Sequence, residues 1–586
     1  MKKLVPIILV LALVLTLAAC GGGKQDQQSP AASPDAGAAG ESPAAPAASA
    51  ASPAAPAAPS STIDSLPAPA ETGGVTMQTI NSATGEVTRY IAEAPTKSVK
   101  ADPTTLYVGQ TVVVENGNPG ANGDSPVYDL LFDQFITIDF DTGEYVGKVI
   151  KEWDLAEDRL SMTFSIHDNI TFHDGSKATM EDVFYSLWRL NEPDLSRQAD
   201  RNTFGNIDFD KSEIINDYEG KLVFYNATIT IISGLTKAWL FSKNHIETLG
   251  EDNAWWDNCI GTGMYMVDSV IQGDRYNLVR NDNYWGPEKG AFEKIVLRYY
   301  AEASTLYIDY ETGVLDIIIN PLATDASRVI NGDINNTICD VYPMLTTYSL
   351  CFNEEMNPVL NDINVRKAIC LALDPVILNK LSFDFLGMGA TSFVPSGMKD
   401  AYNNVHVQDL EAAKQALADA GYGPGELTLV FGTNTQNTNY ALAEAIQAQL
   451  GEAGINIDIL AVDPTVHVSN FRNTGSDIYD MSVTMSAFGT LESTIILGNL
   501  SRATGSVSFA AISDPQADEL AVRAATAMTE SEKHDAIVEL QKFMIDNYWT
   551  VPCVEARAAI IYRDYITGIR VIMPRSANIN MVSLVD

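Results

Sequence analysis

From Gly21 to about Gly74 the chain is built of Ala, Pro, Ser and Gly, with almost no aliphatic or aromatic side chain. Such a segment cannot bury enough apolar surface to offset the entropy of ordering it. Its Ala-Pro alternation from Ser42 to Pro59 favours an extended, semi-rigid spacer. Folding is therefore left to Met77–Asp586, about 510 residues, too many for one core and suited to two or three domains. Ahead of the spacer, Lys2 and Lys3 precede an apolar run from Leu4 to Leu17 and then Ala18-Ala19-Cys20. A basic start, a short apolar stretch and small residues predict a secretory signal over 1–19, too short for an ordinary membrane span.

The chain carries 37 basic and 75 acidic residues. Binding to nucleic acid needs a basic footprint, and this balance points the other way. An acidic surface keeps a protein soluble and away from anionic surfaces without identifying a ligand. Five cysteines follow Cys20 (Cys259, Cys339, Cys351, Cys370 and Cys553), with no C-x-x-C and an odd count that forbids complete internal pairing. They read mostly as buried small apolar side chains, although an extracellular setting permits one disulfide. The six histidines form no H-E-x-x-H and no tight cluster, so neither a metal nor a cofactor is expected. There is no G-x-S-x-G and no P-loop; carboxylate pairs such as Asp139 with Asp141 suit solvated faces, and the chain is not expected to be an enzyme.

Residues Met162–Leu190 are the most informative block. Met162, Phe164 and Ile166 alternate with Thr163 and Ser165, the period of a half-buried strand. His173-Asp174-Gly175 reads as a turn. Thr179 and Asp182 stand three apart, an acidic variant of the capping box, ahead of an apolar helical face. His173 reads as a hydrogen-bonding turn residue rather than a metal ligand.

The order of these pieces resembles the signature of extracellular solute-binding proteins of the oligopeptide/dipeptide/nickel family. The matching residues are Phe172, His173, Asp174 and Gly175, then Thr179, Asp182, Val183 and Ser186. Later blocks follow in the family's order: Gly261-Thr262-Gly263, Asn281–Gly286, Tyr348–Asn353, Asp362–Asp374 and Val551-Pro552. In Asp362–Asp374 the stripe Val365, Ile369, Leu373 is core, with Arg366 and Lys367 read as solvated. Leu17-Ala18-Ala19-Cys20 resembles a bacterial lipobox, which implies cleavage before Cys20, lipidation of Cys20, and a tether over 20–76 that holds the protein outside the cytoplasm on the membrane's outer face.

The resemblance implies an α/β fold of the two-lobe periplasmic-binding type (type II), with an extra domain inserted in lobe 1. It places lobe 1 at about 102–138, 261–352 and 556–586, the insert at 139–260, and lobe 2 at 353–555. It implies a monomer that captures a peptide-like solute and hands it to an ABC permease and its ATPase. A glycan or nickel-chelate cargo, or a sensory or adhesion role on the same fold, are the alternatives. Cleft candidates carried over from the family are Asp133, Gln134, Asn320, Ser486, Ala487, Phe488 and Gly489. Peptide binders of the family often show "Y-D-M … G-W-x-x-D", whose aspartate holds the peptide's amino terminus. Here Ser486 falls at the tryptophan and Gly489 at the aspartate; Glu492 is the nearest acidic substitute.

Overall fold

The computed structural model describes residues 66–69 and 74–585, apart from 83–84, 95, 97, 115–116, 123–124, 197, 229, 472–476, 489–491, 502–511 and 572–577. Cys20, the signal, most of the spacer and Gly489 lie outside the described residues.

Two long strands organise the molecule. Thr337–Phe352 and Pro552–Arg563 run antiparallel through the middle of a 13-stranded sheet. On one side, Pro552–Arg563 continues through Ile317–Ile319, Thr105–Gln110, Lys294–Tyr299, Arg275–Arg280 and Tyr265–Ile271. On the other, Thr337–Phe352 continues through Met481–Ala487, Leu427–Asn434 and Ile455–Val462. Leu427–Asn434 and Ile455–Val462 are parallel and joined by helix Asn437–Glu452, the strand–helix–strand unit that their order in the sequence requires. Gly454 stops that helix ahead of Ile455 with φ +90°, a conformation that costs a glycine little.

The pairing of the two long strands is broken once in a telling place. Pro343 faces Arg557 and Thr347 faces Glu555, so three residues on one strand oppose one on the other. Extra residues in a ladder bend and twist the strand that carries them. Before this bulge, Thr337–Phe352 pairs with Gly85–Ala92; after it, with Met481–Ala487. The bulge is thus the seam between two half-sheets, each with a core of its own on one face, while a further cluster with Tyr342, Leu345 and Phe488 runs across it. Beyond it Leu350 and Phe352 join a core with Val365, Ile369, Leu429 and Ile446. Before it Cys339 and Val341 pack with Tyr310, Ile318 and Ile561. A third core, with Phe164, Val183, Leu187 and Phe224, belongs to the separate four-stranded sheet that contains Ser161–Ile166.

The hairpin Val75–Ser82/Gly85–Ala92, with no counterpart in the lobe boundaries expected from sequence, adds to Thr337–Val341. Arg89 makes a bidentate pair with Asp340 at 2.7 and 2.8 Å, and the Tyr562 hydroxyl donates to the same carboxylate. Arg366 departs from its expected solvated position. It is 4% exposed, its Nη1 donates to Leu360 O, and its guanidinium lies 3.6 Å from the Trp549 ring centroid. Planar stacking lets an arginine stay charged in such a place. All five described cysteines are buried and unpaired.

Candidate functional site

The signature residues turn out to be joinery. His173 sits between two backbone groups of Gly261-Thr262-Gly263: Gly261 N–H donates to Nδ1 at 3.1 Å, and Nε2 lies 3.1 Å from Gly263 O. A ring nitrogen that accepts from an amide carries no proton, so the hydrogen resides on Nε2. Burial holds this neutral ring, its pKa pushed down to about 4, although Gly263 O and two nearby carboxylates act the other way. Both glycines are required by close approach: a Cβ on Gly261 would lie 2.0 Å from Leu131 O, and one on Gly263 2.3 Å from Leu130 O. Asp174 closes its own turn by accepting from Ser176 N–H and Oγ, with Gly175 at φ +84°.

Helix Met180–Arg189 is fastened in the same manner. Thr179 N–H and Oγ1 donate to Asp182 Oδ2, while Lys243 N–H donates to Oδ1. Ser186 Oγ donates to Asp182 O and accepts from Phe241 N–H. Phe172 and Val183 fill the third core. At the helix's end Arg189, 2% exposed, grips Glu251 at 2.6 and 2.7 Å among the rings of Tyr185, Phe241 and Trp255. Each polar signature residue, His173, Asp174, Thr179, Asp182 and Ser186, thus has a partner within the protein.

Two cleft candidates belong to this joinery. Asp133, 3% exposed, accepts from Tyr284 Oη at 2.9 Å and Trp285 Nε1 at 2.8 Å, and pairs with Lys148 at 3.2 Å. Its own N–H donates to Thr262 Oγ1. A carboxylate so fully engaged is a structural anchor for the Asn281–Gly286 turn, with little left to offer a solute. Gln134 donates from Nε2 to Asp129 Oδ1. Asn320 ends strand Ile317–Ile319 in the left-handed region, φ +53°, and is exposed there.

Ser486, Ala487 and Phe488 lie apart from these, at the seam. Ser486 faces Thr347 and Ala487 faces Thr346 across the ladder. Phe488 is 2% exposed, its N–H donating to Leu345 O at 2.8 Å. Strand Met481–Ala487 is paired along its whole length on one side, by Thr346–Phe352. On its other side Leu427–Asn434 reaches only Met481 and Ser482. Among the described residues no strand covers the outer edge of Val483–Ala487, and Met485 there is 56% exposed. That edge carries backbone donors and acceptors ready for another extended chain.

Glu492, the acidic substitute considered from sequence, is engaged too. Both its oxygens lie 3.0–3.1 Å from Lys533 Nζ, with the two side chains 12% and 5% exposed. Burial would lower the lysine's pKa, but Glu492 and Glu530 outweigh it and raise it. Tyr145, on the small strand Tyr145–Gly147, is pushed up to about 12 by burial and then by the charges of Glu492 and Glu530.

One group went unnoticed in the sequence. Glu555 stands directly opposite Thr347, which stands opposite Ser486, so the three side chains form one transverse row at the seam. The available signal was an acid inside the apolar run Val551–Tyr562. Among the described residues no group of His, Cys, Asp and Glu is placed to hold a metal, and no helix is long and apolar enough to cross a membrane.

A two-part sheet crossed by paired long strands, with a third packed unit beside it, is the type II periplasmic-binding architecture. The signature described as bacterial extracellular solute-binding proteins, family 5, middle, matches residues 144–506, and the chain belongs to that family. It is 23% identical over 519 residues to the periplasmic murein peptide-binding protein MppA of Escherichia coli, covering 82% of this chain and 93% of that one. Two solved structures share the fold over 82% of this chain and 99% of their own. One is the ABC transporter substrate-binding protein CtaP of Listeria monocytogenes (TM-score 0.71, 19% identity). The other is the oligopeptide-binding protein AppA of Bacillus subtilis in complex with a nonapeptide (TM-score 0.68, 17% identity).

Proposed function

We propose that this protein is the solute-binding lipoprotein of an ABC importer, and that it captures a peptide-like solute at the seam and delivers it to a membrane permease. The observation that carries the reading is the uncovered edge of Val483–Ala487. An extended peptide adds to such an edge through main-chain hydrogen bonds, which give affinity with tolerance of sequence. The peptide ligands in the names of MppA and of the AppA complex agree with this chemistry.

In this reading residues 353–555 form lobe 2, 102–138, 261–352 and 556–586 form lobe 1, and 139–260 form the insert. The third core supports the insert, and Leu350 and Phe352, packed with Val365 and Leu429, draw lobe 2 back towards the bulge. The bulge at Pro343–Thr347 is where the lobes hinge, and the solute favours closure through contacts that exist only when both lobes touch it. Cys20 carries the lipid anchor, and 20–76 spaces the lobes from the membrane. The protein works as a monomer and performs no chemistry on its cargo.

Native and denaturing mass spectrometry of the purified protein tests the reading. Co-purified short peptides, or mass shifts with a peptide library, are the expected result. A sugar or a metal chelate bound in their place overturns it.

A further inference from the structure

The two solved structures are matched over 99% of their own length by 82% of this chain. What is left over is about as long as the stretch ahead of Thr105. That stretch is fastened down where it is described. Arg89 holds Asp340, which is buried and also accepts from Tyr562 Oη at 3.0 Å. Ser98 Oγ donates to Asp564. Lys100 lies 2.5 Å from Asp316, with the two side chains 5% and 4% exposed. The same carboxylate accepts from Tyr107 N–H and Tyr565 Oη, each at 2.7 Å, and the ammonium stands 5.4 and 5.8 Å from the centroids of those two rings. Exposed ion pairs contribute little, whereas breaking a buried one strands a charge, so these pairs bind the segment firmly. Apolar contacts agree. Tyr90 packs in the core with Tyr310, Ile318 and Ile561, Leu66 lies against that core, and Tyr90 Oη donates to Pro67 O at 2.9 Å.

Asp316, Asp340, Asp564, Tyr562 and Tyr565 all belong to the stretches assigned above to lobe 1. The ladder sets where this bracing stops. Gly85–Ala92 covers one edge of Thr337–Phe352 as far as Val341, opposite Thr88. On that same edge Met481–Ala487 begins only at Thr346. Tyr342, Pro343 and Met344 fall between, and the opposite edge is interrupted from Pro343 to Thr347. Backbone held on both edges resists bending, and backbone short of ladder bonds yields first.

We propose that the segment 66–100 is a strap that joins the tether to lobe 1 and stiffens that lobe's half of the crossover strands, so that closure swings lobe 2 about residues 342–344 against an anchored lobe 1. The inference rests on the tether and hinge of the reading above and adds which lobe is fixed. The buried charges of Arg89 and Lys100 make the attachment, and the end of the hairpin ladder at Val341 leaves the bulge free to bend.

Pulsed electron paramagnetic resonance on the full chain tests it. Nitroxides go to exposed positions of the strap (Met77→Cys), lobe 1 (Ile308→Cys) and lobe 2 (Val522→Cys), in a Cys20→Ala background in which the other five cysteines are buried. The distance from 77 to 308 is expected to be narrow and the same with and without a tripeptide library, while that from 77 to 522 shifts. A 77–308 distance that is broad, or that moves on adding peptide, overturns the inference. So does a 77–522 distance unmoved by peptide that mass spectrometry shows to be bound. A second measurement needs no ligand. In the empty protein, Arg89→Met with Lys100→Met is expected to quicken hydrogen exchange about tenfold or more in Thr337–Val341 and to leave Thr346–Phe352 unchanged. Exchange unaltered in Thr337–Val341, or quickened equally beyond the bulge, overturns the strap. A protein that binds no peptide removes the peptide reading instead, and the exchange result still decides the strap.

Discussion

The block Met162–Leu190 with Gly261–Gly263 and the seam strand Met481–Ala487 are opposites. In the first, each polar signature group is spent on the protein: His173 on two glycines, Asp182 on Thr179 and Lys243, Ser186 on Phe241. In the second, the backbone edge of Val483–Ala487 is left uncovered among the described residues. The strongest motif is therefore the mortar, and the proposed solute contact lies on a strand where the family's pattern is only partly kept. Substitutions in the two regions should separate cleanly into losses of stability and losses of binding.

The largest effect is expected for Asp133→Ala, which strands Tyr284, Trp285 and Lys148. It should cost about 3–5 kcal/mol by chemical denaturation, with peptide affinity in the surviving folded fraction unchanged. Selective loss of affinity at full stability would break the comparison. His173 sharpens it through pH. Its folded-state pKa of about 4 lies below the ordinary 6.5, so the neutral ring stabilises the fold fully above pH 6.5. That contribution, about 3 kcal/mol, is lost as the pH falls from 6.5 through 4. A denaturation series over that window should show a slope that His173→Phe lessens.

A smaller effect belongs to the other region. N-methylation of a peptide's central amide should weaken binding by about tenfold, the worth of one main-chain hydrogen bond, without altering the empty protein. Equal binding of methylated and unmodified peptides would mean that the edge is not used. Smallest of all, Thr179→Ala should lower stability by about 1 kcal/mol through the lost cap and leave binding alone.

Much of the fold was legible because local pattern and tertiary role coincide. The alternation Met162–Ile166, the Thr179–Asp182 cap and the Gly454 stop each fix an element wherever the chain packs it. Arg366 was misread because helical periodicity cannot reveal that Trp549, far along the chain, offers a ring to stack on. The hairpin Val75–Ala92 was missed because it borrows its stability from Thr337–Val341. The candidate site was half legible. Ser486–Phe488 do reach the seam, but resemblance could not show that Asp133 is occupied by three donors. Nor could it bring Glu555 opposite Thr347, since that depends on a bulge three residues deep on one strand and one on the other.

Hydrogen–deuterium exchange with and without a tripeptide library addresses the central claim most directly, because it reads the seam's amides themselves. The account predicts slowed exchange in Val483–Ala487 on adding peptide, with the already bonded amides of the 172–186 block unchanged. Peptide binding that leaves 483–487 exchanging freely, while protecting Gly261–Gly263 or Phe172–Ser186, would contradict it.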